Sequence, residues 1–159
     1  MRWFVGVAAK GAVGGLVATG AMSVLMLAGG RAGLMGDQPP KRIARAAMAG
    51  DRHSPKRGER VVGMLAHAGF GASCGALYGL FCRGRPAPVL PALAYALGIW
   101  LVSYQGWVPK LGILPPISGD RPGRPVVMAA GHVVYGLVLA RCLNRLNRAR
   151  GGDPTTIRR

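Results

Sequence analysis

Two of the three histidines in this 159-residue chain, His67 and His132, lie inside long apolar stretches. An ionisable side chain in such surroundings is expensive, so where one persists it is a candidate for function. A pair of imidazoles suits three chemistries. The first is proton handling or pH response, because histidine titrates near neutrality. The second is metal binding, which two histidines underfill: tetrahedral zinc asks for further carboxylate or thiolate ligands. His53 and Asp37 could supply them, but both lie in a polar loop and nothing fixes them nearby, so no metal is assigned. The third is bis-histidine haem ligation, with neighbouring glycines making room for the porphyrin; no other feature marks a haem protein, and no cofactor is assigned. The simpler account is structural: each ring bonds to nearby backbone or hydroxyl groups, as polar side chains do inside membrane bundles. That account is favoured, and His67 and His132 stand beside it as a candidate ligand or proton site.

Enzymatic chemistry finds less support. The apolar stretches hold no carboxylate pair, no G-x-S-x-G and no nucleophile spaced for a base. Ser73 and Ser103 read as packing hydroxyls, and Gly-x-x-x-Gly within an apolar segment is a packing motif, not a phosphate cradle. Cys74, Cys82 and Cys142 form no C-x-x-C and read as small buried hydrophobes. The expectation is a protein that is not an enzyme. Transport would need a polar path, which a homo-oligomer could build at its axis.

The elements that carry these residues are four apolar blocks, at residues 11–30, 61–82, 88–108 and 126–143, the first able to start as early as Trp3. Each is close to the ~20 residues that a helix needs to cross the hydrocarbon core. Charged residues make up 16% of the chain and gather at block edges, loops and tail, Lys10 excepted. The expected fold class is therefore all-α: an integral membrane four-helix bundle over residues 1–143, followed by a basic polar tail, 144–159. The first block follows a basic start, yet it is longer than a secretory h-region of about 7–15 residues and lacks a small-x-small cleavage site, so it reads as an uncleaved span.

The net charge of +16 does not imply nucleic acid, because the basic residues flank apolar blocks without interleaved aromatics or a recognised motif. The lipid bilayer is the expected partner, with anionic headgroups at the basic loops; a second copy or another membrane protein stays open. Within the loop 31–60, residues 41–48 follow Pro39-Pro40 and suit a short basic helix, on the membrane surface or solvated. Trp100, Tyr104 and Trp107 cluster near the end of the third span, as interfacial anchors do; a stacking site for a ligand is the alternative.

The chain also repeats itself. His67-Ala68-Gly69-Phe70-Gly71 and His132-Val133-Val134-Tyr135-Gly136 both read His-x-x-aromatic-Gly, and a double proline precedes each, at Pro39-Pro40 and Pro115-Pro116. Each histidine falls six residues into its block, roughly 9 Å at 1.5 Å per residue. Spans one-two and three-four thus read as tandem helical hairpins related by a pseudo-two-fold along the membrane normal. Small residues recur every four positions: Gly11, Gly15, Thr19 and Ser23; then His67, Gly71, Gly75 and Gly79; then His132, Gly136 and Ala140. Such stripes let helices approach closely and point both histidines inward.

Leu111-Gly112-Ile113-Leu114-Pro115-Pro116, then Gly131-His132 and the arginines at 141 and 145, resemble the C-terminal part of YagU-like bacterial inner-membrane proteins. Gly15 to Ser23 is similar to the first span of related small membrane proteins. Those proteins form a family of unknown function, so the resemblance implies a multi-pass protein of the bacterial inner membrane and transfers no catalytic residues. The expected function is a non-enzymatic structural, partner-binding or envelope-homeostasis role, with proton, metal or small-ligand handling by the histidine pair as the alternative. Basic residues number 11 on the double-proline side and 10 on the other. The second set is packed into shorter segments, which favours cytoplasmic termini.

Overall fold

The computed structural model describes residues 1–51 and 53–151, and among these every regular element is helical. Helix α1 spans Arg2–Arg31. Helix α2, Pro39–Ala47, opens with two prolines in its first turn, where a missing N–H leaves nothing unbonded. Helix α3, Glu59–Cys82, starts after Gly58, whose φ of 82° turns the chain, and sets Glu59 in a first turn that favours negative charge. Helix α4, Val89–Lys110, loosens into a π-helical stretch over Ser103–Trp107. A short 3-10 turn, Ile117–Gly119, precedes helix α5, Gly123–Gly151.

The last helix is longer than the apolar block predicts. It runs through residues 144–151 of the expected tail, while 152–159 lie outside the described residues. Polar partners hold this extension: the Asn144 amide bonds both the N–H and the C=O of Ala87, at 2.7 and 3.0 Å, and Lys10 Nζ donates to Asn147 at 3.0 Å.

Helices α1 and α3 cross with almost no side chain between them. A Cβ on Gly75 would lie 2.7 Å from the Cα of Gly15 and hard against the Gly11 carbonyl oxygen. Cβ atoms on Gly11 and Gly15 would strike the carbonyls of Gly75 and Gly71, and one on Gly79 would stand 3.0 Å from that of Val7. The space beside Gly71 is filled by the Thr19 hydroxyl, which donates to the Gly15 carbonyl at 2.8 Å. Gly136 makes a second close approach, with a Cβ position 2.8 Å from the Ala92 carbonyl oxygen of α4.

Helix α1 packs on both α3 and α5, α4 packs on α5, and α2 lies on α3. Helices α3 and α4 are joined by aromatics near their connecting turn. Tyr78 stacks on Tyr95 with ring centroids 5.1 Å apart, and Tyr95 donates to the Cys74 carbonyl at 2.9 Å. A two-fold exchanging the hairpins would make the α3–α4 pair equivalent to α1–α5. Instead α5 lies along α1 while α3 and α4 part, and only the first double-proline loop carries a helix. The packing within each hairpin fits the repeat; the packing between them does not.

The outer faces are apolar. Leu65, Phe81, Leu90 and Val102 are each more than two-thirds exposed, and four helices are long and apolar enough to cross a membrane. An apolar surface of that extent calls for lipid or a partner to cover it.

The seam gives a direct prediction. Gly75→Leu forces the two backbones apart, and the cost is expected at or above the top of the ~1–3 kcal/mol range for overpacking. Gly20→Leu, at a position with nothing within 4 Å, is expected to change little. Thermal unfolding of the purified variants in detergent checks this; equal melting temperatures for the two would contradict the seam.

Candidate functional site

Where α3 and α4 part they leave a cleft of about 280 Å³. Thr19, Met22 and Met26 of α1 form its floor; Phe70 and Cys74 of α3 face Ile99, Ser103 and Trp107 of α4. Met128 and Tyr135 come from α5, while Pro39, Pro40 and Ile43 of α2 close the end on the double-proline side. Phe70 and Trp107 line the cleft while 48% and 39% exposed, so they stand at its mouth and it opens sideways between α3 and α4.

His67 and His132 both line this cleft. The His132 Nδ1 lies 2.8 Å from the Met128 carbonyl oxygen. A carbonyl only accepts, so Nδ1 carries the proton and, in the neutral ring, Nε2 is left as an acceptor. His67 has no hydrogen-bond partner among the described residues. The structural account thus covers one nitrogen of His132 and neither of His67. The aromatic of the second repeat joins the two copies, since Tyr135 donates across to the carbonyl of Gly71, the glycine of the first, at 2.7 Å. Its counterpart Phe70, with no hydroxyl, faces outward.

Cys74 shares the cleft with both histidines, yet among the described residues no three His, Cys, Asp or Glu side chains are grouped to hold a metal ion. The volume also sits below the ~300–1,000 Å³ of drug-sized ligand pockets, small for a porphyrin. His53 and Asp37 lie outside the cleft, in a polar recess beyond α2.

The aromatic trio is not an interfacial belt. Tyr104 is 1% exposed in the core, and its hydroxyl donates to Asp120; Trp100 is half-buried beside it, ring centroids 6.0 Å apart. Only Trp107 is exposed. The π-helical stretch accounts for the difference, since an i→i+5 turn rotates the residues after it relative to the regular helix.

Ion pairs fix the rim. Helix α2 is docked on α3. The Pro40 carbonyl seats on Gly63, and Arg45 makes two 2.7 Å bonds to Glu59. The Glu59 carboxylate, followed by that of Asp37, holds the Arg45 pKa above its ordinary value. A hydrogen bond from Lys41 holds the Asp37 carboxyl below the usual range. On the opposite side Arg124 bonds Asp120 at 2.6 Å and the Met35 carbonyl at 2.9 Å. Burial alone would raise the Asp120 pKa, but hydrogen bonds from Tyr104, Arg124 and the Arg121 amide hold it below the ordinary value. Sequence reading missed these pairs, although the spacing of Asp120 and Arg124, four residues apart across a helix start, is a pairing signal.

These features define a class: an all-helical protein with four helices long and apolar enough to cross a membrane, and a side-opening cleft among them. The family described as "Family of unknown function (DUF6789)" matches residues 5–153, and the chain belongs to it. No curated protein and no solved structure matches the chain. Nothing in these matches supports a YagU-like identity.

The Asp120–Arg124 pair sets a pH response. With its native pKa lowered, the Asp120 carboxylate stabilises the fold above the ordinary value of 3.8, and that contribution is lost as pH falls through the lowered value. Asp120→Asn leaves Arg124 buried without its counter-charge, with an expected loss of about 3 kcal/mol near neutrality. The variant should then lose less than the wild type on acidification. Thermal melts from neutral to acidic pH measure both effects, and parallel curves for the two proteins would refute the assignment.

Proposed function

We propose that this chain is a multi-pass protein of the bacterial inner membrane that binds a small membrane-soluble amphiphile in the α3–α4 cleft, as a non-enzymatic binding protein. The observation that carries the reading is the pair of imidazoles from two helices in an apolar, laterally open cleft, with His132 Nε2 and both nitrogens of His67 unpartnered among the described residues. These nitrogens face the open cleft, where a ligand hydroxyl would donate to His132 Nε2 and a ligand hydroxyl or carbonyl would accept from the His67 N–H. The surrounding methionines and aromatics suit an alkyl chain or flat ring. Entry is from the bilayer, because the mouth lies between two helices that are long and apolar enough to span it. Proton handling by the histidine pair is the alternative use of the same groups.

The cleft is tested with a brominated medium-chain alcohol, whose bromine quenches nearby tryptophan, here Trp107 at the mouth. Saturable quenching is expected. His67→Leu with His132→Leu removes about two hydrogen bonds at roughly 1 kcal/mol each, weakening binding by about tenfold or more. Ala66→Phe, which fills the cleft, should abolish saturation. Quenching that never saturates, or that all variants share, would sink the reading.

Cytoplasmic termini belong to the same proposal. On the double-proline side Arg45 and Arg124 are buried in ion pairs, which leaves fewer free cations there. Ser118→Cys should react with an impermeant maleimide added to intact cells, and Thr155→Cys should not; the reverse pattern would invert the topology.

A further inference from the structure

Beyond α2, on the side away from the cleft, the protein forms a second recess of about 360 Å³. Four arginines line it: Arg42 and Arg45 from α2, Arg121 from the turn before α5, and Arg124 from the first turn of α5. His53 and Asp37 complete its polar wall. Some eighty residues of sequence separate the two arginine pairs, so the fold itself assembles the recess.

The charges in it are not balanced. Arg45 is taken up by Glu59 and Asp37, and Arg124 by Asp120 and the Met35 carbonyl. Arg42 and Arg121 have no carboxylate within 4.0 Å among the described residues. Nor does either guanidinium donate a hydrogen bond to another described group. Each offers five N–H donors in a planar fork matched to phosphate or carboxylate oxygens. Arg121 and Arg124 are drawn together over Gly36, whose φ is 64°: a Cβ there would lie 3.2 Å from Nη1 of Arg121 and 3.3 Å from Nη2 of Arg124. Asp120 pairs with Arg124 alone, so Arg121 adds an unpaired positive charge to the recess beside that of Arg42. Half-buried Arg42 and exposed Arg121, both unpartnered among the described residues, thus share one recess with the ion-paired Arg45 and Arg124, a cationic lining suited to an anion. The recess lies at the ends of the membrane-length helices, so in the topology proposed above it faces the outer leaflet, within reach of lipid headgroups.

We infer that this recess binds a phosphate group, with Arg42 and Arg121 as the gripping side chains and Arg45 and Arg124 as the charged floor. The phosphate is carried by an anionic lipid headgroup or comes free from solution. The site shares no lining residue with the histidine cleft, so either can fail without the other.

The test uses the full chain in an uncharged detergent. Dioctanoyl phosphatidylglycerol, dioctanoyl phosphatidylcholine and inorganic phosphate are titrated separately, with binding followed by native mass spectrometry and thermal shift. Saturable binding of phosphatidylglycerol or inorganic phosphate is expected, weakened at least tenfold in the double variant Arg42→Gln, Arg121→Gln. Arg2→Gln with Arg85→Gln, at the other end of the bundle, should bind as the wild type does. If inorganic phosphate displaces phosphatidylglycerol at comparable concentration, the free anion is the ligand; if it does not, the lipid is. Should the double Gln variant fail to fold by circular dichroism, Arg42→Lys with Arg121→Lys keeps the charge, loses the fork, and is expected to bind several-fold more weakly. Absence of saturable binding by either phosphate probe overturns the inference. So do affinities that the Gln or Lys pairs leave unchanged, or equal binding of phosphatidylcholine.

Discussion

The crossing of α1 and α3 is the contact on which the other arrangements rest. Glycines at 11, 15, 71, 75 and 79 bring the two backbones together with no side-chain layer between them. In lipid, where apolar burial between helices gains little, close backbone approach is what makes one pairing better than another. Because α3 leans fully onto α1, and α5 also takes α1 as its neighbour, α4 is left to pack on α5. The aromatic clasp of Tyr78 and Tyr95, with their hydroxyl bonds to the Pro88 and Cys74 carbonyls, closes the remaining side near the α3–α4 turn. The cleft is the space this arrangement cannot fill.

A second set of constraints works at one end of the bundle. Helix α2 would be marginal alone, since a nine-residue helix cannot offset its own nucleation cost. It persists because Pro40 sits on Gly63 and Arg45 is clasped by Glu59. The Tyr104–Asp120–Arg124 chain does the same for the other loop, tying the π-helical part of α4 to the start of α5. Both networks hold charged groups out of water, so each depends on every member having its partner. Helix α2 borders both openings, the apolar cleft through Pro39, Pro40 and Ile43 and the arginine recess through Arg42, Arg45 and Ala46.

Much of this was legible in the sequence, and the gaps have physical causes. Four blocks of apolar residues announce four long helices because the spanning length is fixed by the bilayer. Stripes at intervals of four disclose which faces approach, since helix geometry admits little else. Both histidines line the cleft that opens between α3 and α4. Periodicity cannot say which helix each stripe meets: Gly71 and Gly75 found α1, Gly136 found α4, and the symmetric arrangement suggested by the repeat did not follow. Composition also mistook Tyr104 for an anchor, because its place depends on a local change of helical pitch and on Asp120, sixteen residues on. Arg45 and Glu59 looked like ordinary loop charges for the same reason; their pairing is tertiary.

Under the proposed binding function, the sideways mouth of the cleft changes what counts as tight binding. A molecule that enters from the bilayer is already concentrated there by partition, at about 0.8 kcal/mol for every methylene it carries. The lipid phase does the gathering, and the cleft has only to compete with neighbouring acyl chains. Selectivity then rests on the one thing those chains lack, a polar group to meet an imidazole. A weak site measured against its membrane-phase concentration would still stay filled, and its occupancy would follow the lipid-to-protein ratio, not the aqueous supply.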